Sequence, residues 1–570
     1  MQNRSLSLFR RIWKYRLHYA IVLPALVLIL LFRIVPFAGD VLMAFKDYKV
    51  FRGLFSSPWV GFGNFGKLWA DPAFRTALSN TLAIKLAYIA CTGIFAFVIA
   101  LALARIASPA VRRLFSTLFL VPYFIPSLVV AYTVMCVLSP NLSPLFPVHT
   151  LALGRPDLFR PLLAAVEALK TCGIPILMAL AAIEGRRAAS ARGANGGLTA
   201  GGFVRQEALP AGKAIAAFML LQLSTLLSTD FELAYSLYNP LVYSTGDTLN
   251  TYQFRTGFMM MEAGTAGASR LFQYAVQLLL TLPAYFAVRS WFLRDLFPPG
   301  TDEGGEMRTG PKGLGGAAGI AGFGAAAIGS LAALLPLYML FVYPFAADGA
   351  AGSTAGSLLA SANFGTYLAA DLAAAAASVL MIATLAYPLT VRDLPGHGLY
   401  KLFLLAVMGM GGGSFSEYLL FKNVHLVNTV YPQMLLGIIP IVSVFALKSI
   451  FNSRYADLKE QASAEGRGEL HAFVTLFLPK MGKPLAALGV LQFVGLWNSY
   501  SSSLIFMNNP NGFSPVMKLM YLISNGQQAG PEPGALLLFG AVVSLLPLAL
   551  LLAFRNWLTS GTLISQIRKL

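Results

Sequence analysis

Residues Glu460 to Pro479 read EQASAEGRGELHAFVTLFLP. The stretch is polar and charged at its start, carries Gly466 six positions after Glu460, and closes on Leu478-Pro479. A glycine permits the tight turn that ends a helix, and a proline starts the next one. The spacing therefore predicts a short amphipathic helix, a turn and a fresh helix, in a loop between two hydrophobic spans. Such a helix can lay one face into a groove on a partner. Nothing in the stretch is catalytic.

The residues around it set the class. Of 570 residues, 57% are hydrophobic and 12% charged, whereas a soluble domain carries about 25% charged residues. Mean hydropathy is +0.67. Runs such as Ile21–Leu31, Thr81–Ala104, Leu114–Leu138 and Ala535–Leu552 are apolar over most of the roughly 20 residues that a spanning helix needs. The short alternating segments of a membrane barrel are absent from the sequence. The expected fold is an all-α polytopic membrane protein of about 12 helices. Spans are predicted near 19–45, 78–105, 113–138, 159–183, 211–236 and 270–293, then near 317–346, 366–391, 400–421, 429–450, 483–507 and 535–555.

The net charge of +18 is explained by the positive-inside rule rather than by nucleic acid. Arg105, Arg112 and Arg113 fall in one inner loop, Arg186, Arg187, Arg192 and Arg205 in the next, and Lys448, Arg454, Lys459 and Arg467 in a later one. Outer loops are leaner, although Lys46, Lys49 and Arg52 follow the first span. Arg4, Arg10, Arg11, Lys14 and Arg16 precede that span without a convincing small-residue cleavage site, so it is expected to stay as an anchor with the N-terminus inside. The same alternation puts the C-terminus inside. Cys91, Cys136 and Cys172 lie in apolar spans and read as small core residues.

The chain divides in two. Residues 294–316, rich in glycine, proline and charge, read as a cytoplasmic linker between an N-terminal half (1–293) and a C-terminal half (317–570). Each half holds about six spans and has its longest basic inner loop between its fourth and fifth spans, which is the pattern of a parallel repeat. The first such loop reads EGRRAASARGANGGLTAGGFVRQEALP over 184–210. In it Ala188, Ala189, Gly193, Leu209 and Pro210 stand where the second loop has its alanines, glycine and Leu-Pro.

The second loop resembles the coupling loop of ABC importer permeases, through Glu460, Ala462, Glu465, Gly466, Leu478 and Pro479. The first departs from that pattern, with Arg187 in place of the expected Glu and Arg192 in place of the expected Asp. The likeness extends to VPFAGDVLMAFKDYKVFRG (35–53), LFLVPYFIPSLVVA (118–131), LYNPLVYSTGDTLNTYQFRTGF (237–258) and LQFVGLWNSYSSSLIFMNNP (491–510). Together these resemble the maltose-type carbohydrate-uptake permeases, in particular the oligosaccharide and polysaccharide branch, with two permease subunits fused in one chain. The resemblance implies a type I importer fold in a bacterial plasma membrane. It also implies a cytoplasmic ABC ATPase dimer, an extracytoplasmic solute-binding lipoprotein and a carbohydrate substrate, moved by alternating access.

The sequence has no GxxxxGK[ST] segment to cradle phosphates, so no cofactor is expected on this chain, and ATP with Mg belongs to the partner ATPase. His18, His149, His397, His425 and His471 are dispersed, without metal-ligand spacing. Trp497, Asn498 and Tyr500, just after the second loop, offer an aromatic face and hydrogen-bonding groups to a sugar, or else pack with a satisfied indole N–H. Asp230 and Glu232 lie inside a span and should face a cavity or a partner. Glu167 and Lys170, three apart, are expected to pair on one helix face. Asn239, Tyr243, Asp247, Tyr252 and Arg255 make a polar outer loop that either receives solute, docks the binding protein or is simply an ordered surface. The alternative from another class is an ion-coupled secondary transporter of a small polar solute, which needs several intramembrane carboxylates in a relay. A polytopic membrane enzyme would need a carboxylate-rich catalytic loop, and these loops are too short and too poor in paired Asp and Glu.

Overall fold

A computed structural model of the chain describes residues 12–13, 15–140, 143, 151–191, 203–288, 290, 317–347, 351–391, 394–454, 471–529 and 532–563. The linker 294–316, Gly193, and Glu460, Ala462, Glu465 and Gly466 of the second loop lie outside these residues. Among the described residues the secondary structure is helical, apart from one isolated bridge between Lys46 and Trp59.

Seven helices are long and apolar enough to cross a membrane: Arg16–Ala44, Pro72–Arg105, Gly319–Phe341, Phe364–Leu389, Tyr431–Asn452, Ala472–Asn498 and Pro533–Trp557. Two further pairs pass the same test but are bent, Pro109–Phe124 with Ser127–Leu138 by 96° and Pro156–Thr171 with Gly173–Arg187 by 49°. The molecule is thus a polytopic helical membrane protein. The predicted count of about twelve is not reached on length and apolarity, and three segments account for the difference. Leu209–Leu223 and His397–Gly409 are short helices that stop inside their predicted spans. Ala263–Ala287 has 25 residues but is interrupted by Arg270, Gln273 and Gln277.

Local chemistry starts these helices where the sequence says it should. Asp71 caps the 34-residue helix Pro72–Arg105, its carboxylate accepting from Ala73 N at 2.8 Å, with proline in the first turn. At 1.5 Å per residue that helix is ~51 Å long, more than the ~30 Å hydrocarbon layer, so it tilts or emerges from it.

The two halves repeat one another in detail after the two long basic loops. In each, a single π-helical turn (Val204–Ala208; Ala472–Phe477) precedes a Leu-Pro pair that opens a long helix (Leu209–Leu223; Leu478–Asn498). That helix breaks, a short one follows (Phe231–Leu237; Ser501–Phe506), and then an Asn-Pro turn in which the Asn side chain caps the backbone (Asn239 on Leu241 N, 3.1 Å; Asn509 on Asn511 N, 3.0 Å).

The first span of each half packs on the opposite half. Val22, Ala25 and Ile29 share a buried core with Met381, Ile382, Leu385 and Tyr387. His18 stacks on Tyr387 at 5.1 Å, and Tyr19 Oη donates to Pro395 O at 2.8 Å. Reciprocally, Ala326 joins Ala96, Ile99, Ala100 and Leu103. Gly322 is close enough that a Cβ there would sit 2.6 Å from Ala102 O. Lipid tails are as apolar as these side chains, so small residues and close packing hold the crossing together.

Candidate functional site: a polar cavity between the halves

Three helices are interrupted around one cavity, over 224–230, 410–414 and 499–500. Broken helix ends carry backbone groups that hydrocarbon cannot satisfy, so they survive where they line a cavity. Here they do. One lobe of about 570 Å³ is walled by Ser127, Lys170, Asp230, Glu232, Asn498 and Ser499. A second, of about 450 Å³, is walled by Asp40, Gln253, Arg270, Gln273 and Gln277. Arg33, Phe231, Asn250, Gly412 and Ser501 border both, which makes them lobes of one space.

Asp230 is the hub of the first break. Its Oδ1 accepts from Leu233 N at 3.0 Å and caps Phe231–Leu237. Its Oδ2 accepts from Ser127 Oγ at 2.9 Å and from Lys170 Nζ at 3.1 Å. Lys170 also donates to Ser127 Oγ. The expected Glu167–Lys170 pair is therefore replaced by a wider arrangement. Lys170 reaches across to Asp230, while Glu167 faces the fully buried Lys85 at 3.9 Å. The reason is distance from water: each buried charge needs an opposite charge, and two helices supply better partners than one.

Glu232 joins the halves. Its Oε1 accepts from Ser499 Oγ at 2.5 Å, Tyr500 N at 2.9 Å and Ser501 N at 3.0 Å. A carboxylate of the first half thus satisfies the helix break of the second. Asn498 makes a second crossing, Nδ2 donating to Phe124 O at 3.0 Å.

The remaining sequence candidates are placed as follows. Asp230, Glu232 and Asn498 line the cavity; Trp497 and Tyr500 do not. Trp497 is buried and its Nε1–H donates to Val543 O at 3.0 Å, a packing position. Tyr500 is fully buried, its hydroxyl 3.0 Å from Ser236 Oγ and donating to Glu232 O at 3.0 Å. Leu209, Pro210, Leu478 and Pro479 open their helices, and Ala188 and Ala189 lie on the last turns of Gly173–Ala191. Arg187 donates to Glu207 Oε1 at 2.7 Å and to Ala104 O at 2.9 Å, so this guanidinium is held within the chain at the base of the first loop.

The candidates of the loop 237–258 are each held in place. Arg255 donates to Asp247 Oδ2 at 2.6 Å and to Tyr238 Oη at 2.9 Å, and Tyr252 Oη donates to Asp71 Oδ2 at 2.7 Å. Asn239 Nδ2 donates to Leu153 O at 3.0 Å, and Tyr243 stacks on Tyr238 at 4.6 Å. Burial raises the Asp247 carboxyl above the ordinary range, against the pull of Thr251 and Arg255. Burial and the Asp247 carboxylate push Tyr238 up to about 12.

Cavity residues not singled out from the sequence include Arg33, Asn250, Arg270, Gln273, Gln433 and Gln492. Several serve the breaks: Asn250 Nδ2 donates to Thr229 O at 3.1 Å, Gln273 Nε2 to Leu227 O at 2.7 Å, Arg270 to Gly412 O at 2.8 Å. Arg33 stands 3.9 Å from Glu417, whose carboxylate accepts from Gly413 N. A signal existed for Arg33, a lone cation in the apolar run VLILLFRIVPF.

No protein-family model matches the chain. It is 28% identical over 298 residues to protein LplB of Bacillus subtilis (strain 168), covering 49% of this chain and 90% of that protein. To the polygalacturonan/rhamnogalacturonan transport system permease protein YteP of the same organism it is 27% identical over 282 residues, covering 47% of this chain and 85% of that protein. A crystal structure of a bacterial alginate ABC transporter, in complex with an alginate pentasaccharide-bound periplasmic protein, matches 49% of this chain and 96% of that one at 27% identity, with a TM-score of 0.42. The chain is a permease of ABC transport systems. Relatives of nearly full permease length each take up about half of it, so it holds two permease lengths in one polypeptide.

Proposed function

We propose that the chain is the conduit of an ATP-driven importer, taking a carbohydrate from an extracytoplasmic solute-binding protein and releasing it into the cytoplasm by alternating access. The observation that carries this reading is the cavity between the halves. Its lobes fall in the roughly 300–1,000 Å³ range of small-molecule sites, and hydroxyl, amide and guanidinium groups wall it, as a hydroxyl-rich solute requires. It also lies at interrupted helices, where transporter solute sites form. The names of relatives speak of polygalacturonan/rhamnogalacturonan and of arabinooligosaccharides, which supports an oligosaccharide as cargo.

In this reading 1–293 and 317–570 are the two permease halves and 294–316 the tether between them, with both termini in the cytoplasm of a bacterial cell. A cytoplasmic ATPase dimer holds ATP and Mg and engages the two inner loops. In the second loop Glu460, Ala462, Glu465 and Gly466 carry the contact. In the first, Arg187 is occupied by Glu207, so contact falls to Ala188, Ala189 and Gly193. Closure of the ATPases moves Leu209–Leu223 and Leu478–Asn498, whose far ends are the breaks that wall the cavity. Asp230, Glu232 and Asn498 hold those breaks in shape while Ser501 and Asn250 meet solute.

The test is purification of the tagged chain from its native membrane with identification of what comes with it. A P-loop ATPase and a solute-binding protein are expected, together with uptake that stops on ATP depletion. Recovery of the chain alone in a mild detergent, with uptake that survives ATP depletion and collapses with an ionophore, would replace this reading by the ion-coupled one.

A further inference from the structure

The segment after the first span is built inside out for a water-facing loop. Three of its polar side chains, Lys46, Ser57 and Asn64, are tied to the backbone. Lys46 Nζ donates to Leu54 O at 3.0 Å and Phe55 O at 2.8 Å, and Asn64 Nδ2 to Ala44 O at 3.1 Å and Lys46 O at 2.8 Å. Ser57 Oγ accepts from Lys49 N at 3.0 Å and donates to Gly53 O at 2.7 Å. Gly53 and Gly61 take left-handed backbone angles, with φ of 73° and 55°, to make the two turns. The exposed surface carries Lys49, Arg52 and Lys67 together with large rings: Phe51 and Phe55, four apart across one short helical turn, then Trp59 and Phe62, both packed on Phe45. Phe55 is 84% and Phe62 75% exposed.

We propose that residues 46–69 form a foot lying in the water–lipid boundary at the Ala44 end of the first span, with a lipid surface as its partner. Three relationships point to lipid. The exposed rings begin at Phe51, seven residues beyond the span, and Trp69 stands just before the next one at Pro72, in edge contact with Phe74 and Phe272. Tryptophan at span ends is the pattern of an interfacial belt. The first span, which leads into the rings, also has an exposed apolar stripe, Leu23, Val27, Leu30, Leu31 and Val35, whose helical spacing and exposure fit lipid contact. Finally, Lys49, Arg52 and Lys67 accompany the rings against a single Asp47, the sign that suits lipid phosphates.

The full chain in lipid nanodiscs tests this with mild substitutions. Phosphatidylcholine brominated near the headgroup should quench the intrinsic emission, and Trp59→Phe should remove on the order of one sixth of the quenchable signal, there being six tryptophans. Phe51→Trp should add a component quenched more by shallow than by deep bromines and little by aqueous iodide. A Phe51→Trp signal quenched by iodide and blind to brominated lipid would overturn the proposal. So would one that becomes shielded only when a soluble partner protein is added, since the rings would then be a protein-docking face. Because the readout is depth, not transport, failure here leaves the import reading standing.

Discussion

Glu232 and Tyr500, 268 positions apart, hold each other twice: the carboxylate accepts from the Tyr500 backbone N–H at 2.9 Å, and the Tyr500 hydroxyl donates to the Glu232 carbonyl at 3.0 Å. One residue belongs to each half, and Glu232 lines the cavity with Tyr500 buried behind it. The wall of the second half is therefore shaped by a side chain of the first.

Glu232→Ala removes the acceptor for Ser499, Tyr500 and Ser501 together. Leaving buried donors unpaired costs about 1–3 kcal/mol, so the thermal midpoint in detergent should fall by several degrees and Glu232→Gln should recover part of it. Transport should lose solute affinity more than maximal rate. An unaltered midpoint and an unaltered half-saturation would show the contact to be dispensable.

Asp230→Ala strands Lys170 in a buried site. Breaking a buried pair costs about 3–5 kcal/mol, and the double variant Asp230→Ala/Lys170→Met should be more stable than Asp230→Ala alone. The cycle is read by thermal unfolding, and strictly additive losses would mean the pair is not coupled.

Arg187→Glu would bring the first inner loop closer to the pattern of the second, yet it places a carboxylate against the buried Glu207. The expected result is lower yield of folded protein, with rescue by the exchanged pair Arg187→Glu/Glu207→Arg. Improved ATPase stimulation by Arg187→Glu alone would show instead that Arg187 stands in the partner's way.

Gly466→Pro should leave membrane insertion intact and abolish coupled uptake. The measurement is uptake in cells against the amount of chain in the membrane fraction, and normal uptake would remove the second loop from the coupling role.

Most of the long helices were legible in the sequence because apolar length and the two Leu-Pro pairs are local signals. The breaks were not: apolar length predicts an unbroken span near 400–421, straight across Met-Gly-Gly-Gly-Ser at 410–414. The other two carry even less local signal. Residues 224–230, STLLSTD, and 498–502, NSYSS, contain neither glycine nor proline. Serine and threonine only weaken a helix by competing for its backbone. What ends it is a partner far along the chain: Lys170 and Ser127 on Asp230, and Glu232 on Tyr500. For the same reason Trp497, which has the right chemistry for a sugar, donates instead to Val543 O, while Arg270 and Gln273, unremarked in the sequence, form the wall.

The exchange of first spans bears on how the protein is made. Arg16–Ala44 enters the bilayer when its seat, Phe364–Leu389, is still about 320 residues from being synthesised. At ~5–20 residues per second it waits on the order of 15 to 65 s with Val22, Ala25 and Ile29 against lipid or a membrane chaperone. Nascent chains shorter than that seat should expose the first span to crosslinkers and proteases that the finished protein resists, and a ribosome paused between the halves would leave an orphan helix for quality control to find.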